Sequence, residues 1–196
     1  MLTDQDVLLP PYVGIGLPDV RMVKSERDCA DALIALMAMD VLGFDTESKP
    51  TFLKGEASTG PHLVQLATDD VVYLFQIGAT PALAVLKAVL ESASILKVGF
   101  GLQDDVKRLR AKLGIETRNV LDLANALRNK NERNTLGAKT AVARFFGQKL
   151  AKSKKITTTN WALPRLSEKQ ILYAADDAHV ALKIYRRWRH DHAAEE

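Results

Sequence analysis

Apolar positions along the chain follow two rhythms that alternate from end to end. "SERDCADALIALMAM" (25–39) spaces its apolar residues at helical intervals, and it opens on Ser25 with the acidic Asp28 three residues on, the signature of a capped first turn. "VLGFDTE" (41–47) is nearly continuous in its apolar character, which predicts a strand buried on both faces. "LVQLATDDVVYLFQI" (63–77) reads as two strands joined by a tight turn at Asp69-Asp70. A helix over about 81–91, the strand "ILKVGF" (95–100), the helix "LQDDVKRLRAKLG" (102–114) and the short strand "RNVLDL" (118–123) come next. The pattern then predicts a helix over about 135–146, a basic loop "GQKLAKSKKITTTNW" (147–161) and a long closing helix over about 167–189.

Three early strands that can pair as a meander, followed by alternating helices and strands, predict a single α/β domain: a mixed β-sheet flanked by α-helices. Residues 1–24 hold three prolines and no clear period, so they read as an extended N-terminal arm; 25–190 is the domain and 191–196 a C-terminal tail. "VGIGLPD" and "VGFGLQD" both contain G-x-G, but neither supplies the third glycine of a dinucleotide fingerprint.

Composition narrows the class. Hydrophobic residues make up 47% and charged residues 26%, the balance of a globular protein, and no run reaches the ~18 apolar residues of a membrane span. The N-terminus lacks the basic-then-apolar order of a secretory signal. Cys29 is the one cysteine, which excludes an internal disulfide and a cysteine-based metal cluster. The expectation is a cytoplasmic protein, or a nuclear one in a eukaryote. Net charge is +3, but Ala126–Leu166 carries ten Lys or Arg (Arg128, Lys130, Arg133, Lys139, Arg144, Lys149, Lys152, Lys154, Lys155, Arg165) against Glu132. That segment is +9 and the remainder −6, an arrangement suited to a polyanion handled near carboxylates.

The chemistry lies in carboxylates whose phase turns them inward. Along "FDTE", Asp45 and Glu47 share one face of the strand and Phe44 and Thr46 the other. Two adjacent acids on an apolar strand repel and resist desolvation, a penalty that a divalent cation removes. In the helix 102–114, Leu102, Val106, Leu109 and Leu113 define the buried stripe; Asp104 falls about 170° from its centre and Asp105 about 70°. Asp105 therefore looks toward the sheet and Asp104 toward water. In "YAADDAHVAL" (173–182), Asp176 shares its face with His179, Lys183 and Arg187, the solvated side, whereas Asp177 lies with Tyr173, Ala181 and Ile184. Tyr173 and Asp177 are neighbours one turn apart. Four acids on three elements beside a tyrosine hydroxyl suit two closely spaced cations that activate water and stabilise the leaving oxygen of a phosphodiester, with the tyrosine holding the water.

These residues resemble a known family. "DTE", then "VGFGLQDD", then "YAADDA" with its Y-x-x-x-D spacing are similar to the three motifs of the DEDDy 3′→5′ exonucleases, nearest to Werner-type exonuclease domains with ribonuclease D close behind. "PHLVQLATDDVVYLFQI" and "TTTNW" extend the likeness, which runs from about residue 24 to 190. The resemblance implies a ribonuclease H-like fold and two Mg²⁺ or Mn²⁺ ions. Asp45 would bridge both ions, Glu47 and Asp177 would complete the first, Asp105 would hold the second, and Tyr173 would orient the water. It also implies a nucleic acid partner with a single-stranded or frayed 3′ end, and the Werner-type likeness favours DNA over RNA. No membrane partner is expected.

Other residues are weighed on the same terms. Lys149, Lys152, Lys154 and Lys155 are candidates for phosphate contacts. Trp161 is a candidate for stacking on a base, although the reading that favours packing beneath the loop is the stronger. Asp122 reads as a hydrogen-bonded strand-end residue, His179 as surface, and Tyr185 and Trp188 as packing. Two competing functions are a ribonuclease D-like enzyme of RNA 3′ ends and a non-catalytic nucleic-acid-binding module. A phosphorylated receiver module is disfavoured by the early hairpin.

Overall fold

The computed structural model describes residues 9–53, 55–78, 80–128 and 134–193. Residues 1–8 of the expected arm, Lys130, Glu132 and Arg133 of the basic segment, and 194–196 of the expected tail lie outside the described residues. Six strands form one sheet: β1 (Val20–Val23), β2 (Val41–Glu47), β3 (Leu63–Ala67), β4 (Val72–Gln76), β5 (Leu96–Gly99) and β6 (Val120–Asp122), in spatial order β1-β4-β3-β2-β5-β6. The meander β2–β3–β4 is antiparallel, while β1 joins β4, and β5 and β6 extend β2, in parallel. Hence the sheet is mixed, as its pattern predicts.

Helices α1 (Glu26–Met37), α2 (Thr80–Leu90) and α3 (Gln103–Leu113) cover one face; α5 (Ala138–Phe146) and α7 (Glu168–Ala193) cover the other. Two one-turn helices, α4 (Leu123–Ala126) and α6 (Lys154–Thr157), punctuate the connections. α1 begins as its sequence predicts: Ser25 accepts from the Asp28 amide at 3.1 Å, and Asp28 Oδ2 accepts from the Ser25 amide at 2.8 Å. The alternation of β2 divides the core. Leu42 and Phe44 pack with α1, α2 and α3, while Val41 packs beneath α7. Each fully buried Leu or Phe contributes about 1.5–3 kcal/mol. Gly43 is essential to this layering, because a side chain there would overlap the Ala178 carbonyl oxygen of α7.

Four elements differ from expectation. β1 lies in residues read as part of the arm: four residues with only Val23 buried carry no period, and the pairing with β4 is supplied by tertiary contact. α4 and α6 are too short to leave a periodic signal. α7 continues through 191–193 of the expected tail, ending at Ala193.

Candidate active site

Strand β2, central in the sheet, delivers Asp45 and Glu47 at its C-terminal end on the α7 side, continuing the face of Val41 and Gly43. Asp45 is half-buried and Glu47 is 9% exposed. From α7, Tyr173 and Asp177 come down on the same side, with Asp177 8% exposed. Asp105 arrives from α3 on the opposite face of the sheet, also buried, and accepts a hydrogen bond from the Thr46 hydroxyl. The adjacent acids divide as the helical projection predicts in α3, where Asp104 is exposed and pairs with Lys107 at 3.7 Å.

Burial and mutual repulsion dominate the electrostatics. Burial, followed by Asp177 and Asp105, pushes the Asp45 carboxyl well above the usual carboxylate range. Glu47 is pushed up to about 9, first by burial and then by Asp45 and Asp177. Burial raises Asp105 against the pull of Thr46 and Arg108, and raises Asp177 against the pull of Lys152. Lys152 Nζ lies 2.7 Å from Asp177 Oδ1 and 5.9 Å from the centre of the Tyr173 ring. Burial is the strongest single influence on Lys152 and opposes its charge, but Asp177, Tyr173 and Asp45 together outweigh it and the ammonium is held above its ordinary value. Tyr173 donates to or accepts from Thr157 Oγ1 at 3.0 Å, and burial with the Asp177 charge pushes its hydroxyl up to about 12.

Whether the site suits divalent cations rests on its donors. As they stand, no three acidic, histidine or cysteine side chains among the described residues enclose an ion. The donor set is nevertheless hard oxygen, carries more negative charge than Lys152 can offset, and includes an orphan. Gln65, directly across from Asp45 on β3, is fully buried and its amide has no hydrogen-bond partner among the described residues. Hard oxygen donors of this kind are the ones Mg²⁺ and Mn²⁺ prefer.

The remaining candidates sort clearly. Lys149, Lys154 and Lys155 are exposed, whereas Lys152 faces the acids instead of solvent. Trp161 is 1% exposed, packs with Ala174 and Ala178 and donates to the Thr157 carbonyl at 3.3 Å, so it has no face to offer a base. Asp122 caps α4 and clamps the turn before α3, accepting from the amides of Gly101, Leu102 and Ala124. Tyr185 and Trp188 meet edge to face and pack together against the α5–α7 core.

Two readings are corrected. Asp176 does not look at water: its Oδ1 accepts from the Ile15 amide at 2.8 Å, and Gly14 presses against its carboxyl. His179 is buried, with Nε2 3.0 Å from the Asp69 carbonyl oxygen. In both cases a distant segment covers the polar face of α7, which no helical projection registers. Thr46 and Gln65 are the site neighbours that sequence reasoning missed, and Lys152, read as a phosphate contact, is set against Asp177 instead. The alternation of "FDTE" already turned Thr46 toward the α3 side, so that contact had a signal.

A 3′-5′ exonuclease family profile matches residues 20–191. The chain is 31% identical over 166 residues to the bifunctional 3′-5′ exonuclease/ATP-dependent helicase WRN of Mus musculus, covering 82% of this chain and 12% of that protein. A 3′-5′ exonuclease of Arabidopsis thaliana is 29% identical over 150 residues, covering 74% of this chain and 51% of the relative. The chain thus spans about half or less of these relatives. The Nibbler EXO domain of Aedes aegypti superposes with a TM-score of 0.74 at 27% identity over 89% of each chain. RNase D of Trypanosoma brucei, complexed with RNA U12, superposes at 0.76 with 20% identity over 93% of this chain and 63% of that one, a likeness of fold. The mixed six-stranded sheet flanked by helices is a ribonuclease H-like fold.

Proposed function

We propose that this chain, which belongs to the 3′-5′ exonuclease family, removes nucleotides one at a time from a 3′ end at Asp45, Glu47, Asp105 and Asp177. Membership makes it a nuclease of the hydrolase class. The observation that supports this residue assignment is the convergence of four inward carboxylates and Tyr173 from β2, α3 and α7, with burial raising every acid.

Asp45 would bridge two Mg²⁺ or Mn²⁺ ions, Glu47 and Asp177 would complete one, and Asp105 would hold the other. When bound, such a pair supplies an activated water and offsets charge on the leaving oxygen. The chain's own groups position the reactants. Tyr173, whose hydroxyl keeps its proton at neutral pH, is a donor that holds the attacking water beside Asp177. Thr157 fixes that hydroxyl, and Thr46 fixes the Asp105 carboxyl. Lys149, Lys154 and Lys155 supply sequence-independent phosphate contacts, while Lys152 balances the charge of Asp177.

DNA is the favoured substrate, on the likeness of the three motifs to Werner-type exonuclease domains; an enzyme of RNA 3′ ends is the second reading, on their likeness to ribonuclease D. Single-stranded or frayed ends suit the site, since unpairing a terminal nucleotide costs a few kcal/mol. The test is incubation of 5′-labelled DNA and RNA oligonucleotides of one sequence with Mg²⁺ or Mn²⁺. Shortening from the 3′ end in single-nucleotide steps, inhibited by a 3′-phosphate, is the expected result. Binding without shortening would support a non-catalytic module, and cutting of a closed circle would refute the directional reading.

A further inference from the structure

The acids have a second set of cations on the side away from Lys152. Beyond Glu47, Ser48 and Lys49 form one wall of a groove of about 440 Å³ whose other wall is α3, with Lys107 and Arg108. Thr51 and Ser58 add hydroxyls, and Asp104 is the acid among the lining residues, so three cations face one carboxylate. The groove adjoins the site at two points. Ser48 follows Glu47 directly, and Arg108 stands one turn beyond Asp105, close enough to pull that carboxyl down. Arg108 Nη1 donates to Ser48 Oγ at 3.2 Å, tying wall to wall. The loop wall is itself held: the Lys49 amide donates to His62 Nδ1 at 3.0 Å, and Gly60 leaves space that Ser48 fills.

We infer that Lys49, Lys107 and Arg108, with the hydroxyls of Ser48, Thr51 and Ser58, form a second phosphate site that takes the sugar–phosphate backbone adjoining the bond at the acids. Clustered ammonium, guanidinium and hydroxyl donors match phosphate oxygens and read no base. Because α3 and α7 pack on opposite faces of the sheet, this set and the Lys149–Lys155 loop bracket the acids. A strand crossing the sheet edge meets positive charge on both sides. The identity of the ligand rests on the nuclease reading proposed above.

The experiment is fluorescence anisotropy of the full chain with a labelled single-stranded oligonucleotide, without added metal, over a range of salt concentrations. Lys49→Ala combined with Lys107→Ala should weaken binding several-fold and flatten the log–log salt slope by about 0.7 per lost contact. Asp104→Asn should act in the opposite sense and tighten binding. Turnover of the p-nitrophenyl ester of thymidine 5′-monophosphate, which has no adjoining strand, should be unchanged in the double variant. Unchanged affinity and slope in that variant, or weaker binding in Asp104→Asn, would overturn the inference. If wild type shortens oligonucleotides but the variants bind as it does, the second site fails and the nuclease reading stands. If wild type binds without shortening and the slope still falls, the second site stands alone. A wild type that binds no oligonucleotide would overturn this site outright.

Discussion

The ammonium of Lys152 lies 2.7 Å from Oδ1 of Asp177, on side chains 29% and 6% exposed. The basic loop thus places one of its charges inside the acid cluster, where it offsets part of a repulsion that four carboxylates create. Lys152→Ala should lower the stability of the metal-free protein by about 1–3 kcal/mol, as a nearly buried carboxylate loses its partner. It should also lower the Mn²⁺ concentration needed to raise the melting temperature, because no ammonium competes for Asp177. A melting temperature unchanged without metal would show that Lys152 is only a loop charge.

The second prediction concerns three of the four acids. Asp45→Asn, Asp105→Ala and Asp177→Ala should each abolish shortening, while Asp104→Ala should retain it. Asp45→Asn should melt no lower than wild type without metal, since one of several mutually repelling carboxyls is gone. Full exonuclease activity in Asp45→Asn would remove that residue from the assignment.

Asp176 predicts a different kind of failure. Asp176→Ala should keep most activity but cost about 1–2 kcal/mol, because the half-buried Ile15 amide loses its acceptor. Chemical denaturation measures this, and no change in midpoint would mean that the 9–15 segment contributes nothing to stability.

A fourth prediction follows from the raised acids. Glu47 moves from 4.5 to about 9, so between those values the folded chain holds a proton that the unfolded chain has released. Stability from this group is therefore fully present below pH 4.5 and is lost as pH rises toward about 9. The metal-free protein should melt at least ~3 °C higher at pH 5.5 than at pH 8.5, equivalent to about 1 kcal/mol for a domain of this size. Saturating Mn²⁺ should shrink or reverse the difference. A metal-free melting temperature that climbs with pH would contradict the raised carboxyls.

Asp122 should matter to activity at a distance. It accepts from three amides, two of them in the turn that launches α3, and α3 positions Asp105. Asp122→Ala should destabilise by about 1.5–3 kcal/mol and slow shortening; Asp122→Asn, which keeps one acceptor, should recover part of both. Wild-type stability in Asp122→Ala would argue that the turn holds itself.

Much of this architecture was legible because β2, α1 and α3 are internally consistent. Ser25 with Asp28, the apolar run into "DTE", and the Leu102–Leu113 stripe each follow from local periodicity. The division of Asp104 from Asp105 was readable for the same reason. What failed depended on distant chain. Asp176 and His179 occupy the polar face of a helix, and only the approach of Gly14–Ile15 and of the Asp69 turn buries them. Lys152 reads as one charge in a basic loop until the fold sets it against Asp177. β1 exists because β4 offers an edge, a fact absent from its own four residues.

Gly43 carries a last consequence. With no side chain between them, α7 rests main chain upon main chain on β2, so Asp177 and Tyr173 share one foundation with Asp45 and Glu47. Of the cations that would grip a substrate, Lys49 hangs from the 48–62 connection and Lys149, Lys154 and Lys155 from 147–157, while Lys107 and Arg108 stand on α3. Chemistry and substrate grip are therefore separable at the exposed loop cations but joined at α3 and at Lys152 and Thr157, which touch the reacting groups. The exposed Lys49, Lys149, Lys154 and Lys155 can be recharged without shifting the reacting centre so long as Lys152 and Thr157 are kept, so a variant that carries foreign charges at those four positions on the Gly43 seat should change its grip on nucleic acid and keep its hydrolytic machinery.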